Sequence, residues 1–304
     1  MYRGGLSELK RIASVTLLSP WLMGLACALA SSSTLAGTER EQFEYVVTYT
    51  GSISSNKPLD ISRVVWVSPR PVASGASEVS VRISSEQFMK LELMFPFRYC
   101  YRAVYNRDAQ RSQGFENFQR ARKQLEYVSA NFDWKKRILS SSSAKAELPG
   151  VSLNPFEGFQ ASAGQAAPSW KVKSQKSFLL PDILLDRVSM VQHLRTMNLK
   201  SGRVVSLPVS DGARMLEYWV DISDDEVNLL GKKWKAYRLR FETFDPVKDR
   251  PPHPPVDIWF SRDAERIPLR MASTYSFGDF DIRLTRIGKT GIQNIQCKNW
   301  QGFQ

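Results

Sequence analysis

The chain is poor in the residues that most enzyme centres need. Its 304 residues hold two histidines, His193 and His253, and three cysteines, Cys27, Cys100 and Cys297. They show no zinc-type Cys/His spacing. A Ser/His/Asp triad would have to use His193, beside the apolar stripe of a helical segment, or His253, inside the proline run Pro251-Pro-His-Pro-Pro255. Phosphate-cradling glycine loops and the dinucleotide fingerprint are also missing, so no cofactor is implied. The tightest acidic cluster, Asp221, Asp224, Asp225 and Glu226, lacks the twelve-position loop and central glycine of a calcium hand and reads as a solvated turn. The net charge is +12 without any dense Lys/Arg run, which gives no footprint for nucleic acid.

Long apolar runs are equally scarce, and the one present is at the N-terminus. Arg3, Lys10 and Arg11 precede an apolar stretch from Val15 through Trp21 to Ala30, and Ala28-Leu-Ala30 before Ser31 is a small-x-small cleavage site. This is the pattern of a secretory signal peptide over residues 1–30, with a second possible cut after Ala36. The run falls short of the roughly 20 residues needed to span a bilayer, and Pro20 interrupts it. Gly24-Leu-Ala26 before Cys27 does not match a lipidation signal, so Cys27 is expected to leave with the signal peptide. Cys100 and Cys297 remain, either as a disulfide in an oxidising compartment or as two buried thiols. Losing residues 1–30 lowers the charge to +10, and for an exported chain anionic lipid head groups, glycolipids or cell-wall polymers are the partners that such a surplus suits.

What is abundant is alternation. Val256, Ile258 and Phe260, the turn Arg262-Asp-Ala-Glu265, and Ile267, Leu269 and Met271 read as a half-buried hairpin, followed after Gly278-Asp279 by a strand bearing Phe280, Ile282 and Leu284. Earlier strands carry Phe43, Tyr45, Val47 and Tyr49, then Val64 to Val67, then Val79, Val81 and Ile83, then Phe97, Tyr99 and Tyr101 after Pro96. From Phe115 to Val128 the pattern fits either a helical stripe of Phe118, Arg122, Leu125 and Val128 or two more strands, and strands are preferred from about Lys123. Residues 140–170, with Ser140-Ser-Ser-Ser143 and an Ala/Ser-rich run, break the rhythm and read as a flexible insert or linker. A helix is predicted from Pro181 to a stop at Gly202, with Leu184, Val188, Val191 and Leu194 on one stripe. The Asp211-Gly212 hairpin and a long strand from Lys233 to Phe244 follow. The chain thus divides into a signal peptide (1–30), an N-terminal meander (31–139), the insert (140–170), the helix with C-terminal strands of the same domain (171–288) and a tail (289–304). The fold class is mainly β, a curved antiparallel sheet or half-barrel with one principal helix packed across it.

The segment Leu185-Asp-Arg-Val-Ser-Met-Val-Gln-His-Leu-Arg195, then Val256 through Arg270, then Gly278 before a last strand, resembles the bacterial domain-of-unknown-function family numbered 3108. The likeness is strongest over residues 180–288. It implies an exported, β-rich protein with no assigned activity, whose sheet wrapped on a helix is similar to periplasmic lipoprotein carriers, and it brings no catalytic residues.

The candidate binding set is aromatic and basic. Trp219, Trp234, Trp259, Phe241 and Phe260 come from consecutive strands, with Arg238, Arg240 and Arg270 nearby, as a concave sheet would need to take acyl chains on its floor and an anionic head group at its rim. The same residues also suit an ordinary sheet core with tryptophan at its edge. Asp257 and Asp263 flank Trp259 and offer a paired-carboxylate reading for a hydrolase. The leading function is therefore a non-enzymatic periplasmic binder or carrier of an amphipathic envelope component, and the alternative is a scaffold that contacts another envelope protein. The intact mass of the exported protein is expected to lack residues 1–30, or 1–36; retention of the whole chain would contradict an exported, cleaved form.

Overall fold

The computed structural model describes residues 40–69, 75–94, 96–147, 170–248, 251 and 253–290. Alternation governs the chain from its first strand, β1 (Arg40–Gly51), where Phe43, Tyr45, Val47 and Tyr49 are all buried on one side. A meander continues through β2 (Leu59–Pro69), β3 (Ala76–Ser84), β4 (Phe97–Asn106), β5 (Arg111–Ala121), β6 (Gln124–Asp133), β7 (Ile138–Glu147) and β8 (Lys171–Leu179), each antiparallel to the strand before it. A short helix, α1 (Met89–Met94), lies between β3 and β4. The chain then crosses to the other end of the sheet with β9 (Leu185–Asp186) and the principal helix α2 (Arg187–Thr196). A second meander returns through β10 (Arg203–Ser210), β11 (Met215–Leu229), β12 (Lys232–Phe244), β13 (Val256–Ser261), β14 (Pro268–Tyr275) and β15 (Gly278–Thr290), which pairs with β1. The result is one sheet of 15 strands, from β8 at one edge to β9 at the other.

The strand ladder does not close, but the sheet curls until β9 and the β10–β11 turn at one end pack against β5 to β7 near the other. The Ser112 amide of β5 donates to the Leu184 carbonyl at 3.2 Å, and Ser112 Oγ donates to Asp186 at 2.8 Å. The β10–β11 turn lies on the inner face of β5–β7, where the Ser141 hydroxyl donates to the Gly212 carbonyl. Gly212 has φ +83°, and a Cβ there would lie 3.2 Å from the Phe115 ring, so the turn needs glycine for both conformation and space.

Inside the curl lies α2. Asp186 caps it by accepting from the Val188 and Ser189 amides at 2.9 and 3.0 Å, which starts the helix six residues later than the expected Pro181. The preceding Leu185 pairs as a strand with β10, and the helix ends at Thr196, well before Gly202, whose φ of +77° belongs to the turn into β10. Residues Ser189 through Arg195 are buried.

The C-terminal end of α2 is clamped by one guanidinium. Arg195, with none of its side chain accessible, donates to Glu41 at 2.6 Å, to Ser68 Oγ at 2.7 Å, to Gln192 at 3.2 Å and to the carbonyls of Glu265 and Arg266 at 2.9 and 3.1 Å. It also stacks over Phe43 at 5.2 Å. Burial raises the pKa of Glu41 while Arg195 draws it down. Midway along the helix, His193 Nδ1 is 2.8 Å from the Tyr105 hydroxyl, and burial lowers its pKa, so it is a neutral core histidine.

Two further expectations need correction. Residues 140–147, expected in a flexible insert, form most of β7, because a strand flanked by β6 and β8 is held by its backbone and its small side chains allow close packing of the β10–β11 turn. The rest of that insert, 148–169, lies outside the described residues, as do the signal segment, Cys27, Cys297 and most of the tail. The acidic cluster is strand rather than turn: Asp224 pairs with Arg262, Asp225 accepts from Trp259 and Glu226 pairs with Lys233. Cys100 is fully buried on the outer face beside Phe118, Leu125 and Ala146 and is disulfide-bonded.

Replacing Arg195 by Met leaves Glu41 buried without its counter-ion, and the variant is expected to lose about 3–5 kcal/mol in urea unfolding, with partial recovery when Glu41→Gln is added. A loss below about 1 kcal/mol would show that the clamp is not needed.

Candidate functional site

Parity divides the sheet into an inner and an outer face, and α2 covers only part of the inner one. Beneath it Phe43, Val79, Tyr105, Val209, Leu239 and Phe260 are wholly or almost wholly buried. Farther along the same face, Ile83, Tyr99, Val256, Met271, Phe280 and Ile282 stay partly exposed. Register places these residues together: Tyr99 pairs with Ile83, Met271 with Ile282, and Phe280 with Tyr49. The curl therefore keeps a recess with an aromatic and aliphatic wall beyond the helix.

Arg187, the first residue of α2, stands at the floor of that recess. It lies deep in the protein among Tyr99, Tyr101 and Tyr218, yet 36% of its side chain is accessible. Its contact with Asp211 is long, at 3.4 Å. Asp211 does not depend on it, since it accepts from the Ala213 and Arg214 amides at 2.9 and 3.0 Å and from Arg214 Nε at 3.2 Å. Arg214 in turn pairs with Asp245 at 2.9 Å. Burial opposes charge on Arg187, but the surrounding phenols and Asp211 outweigh it and keep the guanidinium protonated.

The neighbours are mostly donors. Burial pushes the Tyr99 phenol up to about 12 and Tyr101 well above its ordinary range, so both hydroxyls keep their protons. Tyr101 Oη, Asn117 Oδ1, Gln119 Nε2, Arg187 Nε and His253 Nε2 are buried without hydrogen-bond partners. Tyr101 pairs in register with Asn117, and Tyr99 with Gln119. Unsatisfied polar groups of this density are uncommon in a folded interior and mark a place where water or a ligand belongs. His253 is pushed down to about 4 by burial and by the charges of Arg187 and Arg214, so it is neutral at pH 7.

The aromatic and basic residues selected from sequence are not gathered on one surface. Phe241 and Phe260 are buried on the inner face at 3% and 0% exposure. Trp259 is on the outer face, sandwiched between Arg238 and Arg270 at 5.6 and 4.8 Å and donating to Asp225 at 2.7 Å. Arg238 is held by Asp257, Arg270 by Asp281, and Arg240 lies near Asp257 and Glu242. Trp234 is near the β11–β12 turn under Lys232, and Trp219 is exposed on the outer face, stacked on Phe244. Asp257 is near the start of β13, whereas Asp263 follows its end and accepts from Ser261 and Glu265, so the two carboxylates are not assembled as a pair. The recess residues Arg187, Tyr99, Tyr101 and Tyr218 were missed. The signals were present, in the Asp186-Arg187 helix start and the odd-numbered tyrosines of β4, but only the curl brings them together.

These features define a barrel-like antiparallel β protein with a helix across its interior. The chain belongs to the family described as Protein of unknown function (DUF3108), whose model matches residues 44–285. Its fold is similar to that of the "Beta-barrel-like Protein of Domain of Unknown Function DUF1849" from Brucella abortus, with a TM-score of 0.51 and 10% identity over 84% of this chain and 100% of that one. No match was found among curated proteins.

Because folded His253 titrates near 4, below its unfolded value of 6.5, the unfolded chain takes up the proton first as pH falls. Its contribution is present above pH 6.5 and is lost toward pH 4. His253→Gln is expected to flatten the stability–pH slope in that window when urea unfolding is followed at a series of pH values. Identical slopes would place His253 outside the buried site.

Proposed function

We propose that the protein is an exported, non-enzymatic binder or carrier of an amphipathic envelope component whose acyl chain lies against the exposed part of the inner face. One observation carries this reading: a single face of the sheet is buried under α2 and partly accessible beyond it, where Ile83, Val256, Met271, Phe280 and Ile282 present an apolar wall. Concave, mostly apolar surfaces with a few convergent polar groups are where small ligands bind. The N-terminal apolar segment and the disulfide at Cys100 support an oxidising compartment outside the cytoplasm. No helix among the described residues is long and apolar enough to cross a membrane.

A magnitude bounds the affinity. Burying about ten methylenes gains ~8 kcal/mol at ~0.8 each, and association costs at least ~4, so the chain alone supplies about millimolar binding. Tighter binding requires a polar anchor. The second reading, a scaffold for another envelope protein, is favoured by Trp219, which is 47% exposed and stacked on Phe244 away from the recess. Crosslinking in the cell separates the two: a reproducible protein partner with no bound lipid favours the scaffold. The hydrolase reading lacks an assembled acid/base pair, since Asp257 is engaged by Arg238.

Mature protein purified from several hosts is expected to carry acyl-chain species in native mass spectra and to bind a fluorescent fatty acid that unlabelled acyl chains displace. Filling the recess with Ile282→Trp should weaken that binding by about ten-fold or more, the effect of some 1.4 kcal/mol. Clean spectra together with no displacement would overturn the proposal.

A further inference from the structure

The recess has polar groups at its floor and apolar side chains on its wall, an asymmetry that bears on how a ligand lies in it. This inference rests on the lumen-binding reading and assigns its ligand class and orientation. We infer that Arg187, with the Tyr101 hydroxyl beside it, anchors a single negative charge, so that an amphiphile enters head-first and is held as the carboxylate of a long-chain acid.

Two arginines of the same helix show why. Arg195 is fully buried, and all three of its guanidinium nitrogens have partners. Arg187 spends one nitrogen on a 3.4 Å contact with Asp211, its Nε has no partner, and 36% of its side chain faces open space. The helix start itself is not the attraction, because the Val188 and Ser189 amides are already taken by Asp186. What points to a ligand is the second, independent feature: Tyr101, only 4% exposed, has a hydroxyl with no partner, and Gln119, only 3% exposed, has an unpartnered side-chain amide nitrogen on the same face. Unpartnered donors on a guanidinium, a phenol and an amide outnumber the one unpartnered acceptor beside Tyr101, Asn117 Oδ1, and together suit an anion.

The charges around Arg187 select the kind of anion. Asp211 lies against it and Asp186 is the neighbouring residue, while Arg214 is shared between Asp211 and Asp245. Asp186 also faces the Tyr101 phenol, so a second negative charge on the ligand would meet two carboxylates close to the guanidinium. A carboxylate brings one charge and two oxygens at the spacing of the arginine fork, whereas a phosphate monoester brings close to two charges. His253, neutral near pH 7, adds no positive charge that would offset the difference. The tail then runs along Ile83, Met271 and Ile282.

The test uses the full mature chain, delipidated, with cis-parinaric acid as fluorescent probe and oleate, oleyl alcohol and oleyl phosphate as competitors. Wild type is expected to prefer oleate over oleyl alcohol by about ten-fold or more, the scale of a charge-assisted hydrogen bond. Arg187→Met should weaken oleate by a similar factor and leave oleyl alcohol within about two-fold. Asp211 retains Arg214 in that variant, so its fold should persist; if it does not, Tyr101→Phe is read instead and should lower oleate affinity several-fold with the alcohol unchanged. Equal binding of acid and alcohol by wild type, or equal loss of both in the variants, would overturn the anchor while the lumen reading stands. Tighter oleyl phosphate than oleate would overturn the choice of carboxylate. Failure of every amphiphile to bind wild type would remove the lumen reading and this inference with it.

Discussion

A helix of ten residues is about 15 Å long, and a sheet of 15 strands curled around it has more inner face than such a helix can cover. The helix is fastened at both ends, by Asp186 to Ser112 on β5 and by Arg195 to Glu41 and Ser68 on β1 and β2, so it cannot slide to fill the remainder. Those two polar anchors decide which part of the interior is packed and which stays open. A buried ion pair contributes little to net stability once desolvation is counted, but it is costly to break, which is what a fixed position requires. The position of the clamp thus connects sequence, curl and recess.

Arginine chemistry shows the same division of labour across the molecule. On the outer face Glu44 is paired with Arg63 and Arg286, Glu78 with Arg102, Asp257 with Arg238 and Asp281 with Arg270. Many of the arginines are therefore spent in cross-strand pairs along the strand faces, with the carboxylates Glu44 and Glu78 buried and the guanidinium groups partly exposed. Trp259 belongs to that outer lattice, covered by two guanidinium planes. Arg187 differs from all of these in being deep, loosely held and surrounded by phenols. Its setting, rather than the number of arginines, is what gives it chemical meaning.

The period-2 alternation in Phe43 to Tyr49, in Val256 to Phe260 and in Phe280 to Leu284 was legible because the inward positions of each strand are apolar while most of the outward ones are polar, Trp259 being an exception. β7 was harder to read: its serines and alanines carry no apolar signal, and its order comes from pairing with β6 and β8. The helix was legible in kind but not in extent, since Leu184 and Leu185 fit a helical stripe as well as a strand and only the Asp186 cap decides between them. For the site, residue type and rough location were visible, but face was not. Phe241 and Trp259 lie on neighbouring strands yet face opposite sides, one position of parity apart, and a set drawn up from proximity in sequence mixed the two. The recess depends on β4, β11 and the start of α2 meeting, a contact made by curvature between segments far apart in the chain.

The openness of the interior can be measured by thiol reactivity. Single cysteines placed at Ile83, Val256 and Ile282, beyond the helix, and at Val79, Ile258 and Leu284, on the packed part of the same face, would be treated with a small uncharged alkylating reagent under native conditions. The first three should react many times faster than the second three. Uniformly slow reaction at all six would show an interior packed from end to end, with no room for a ligand.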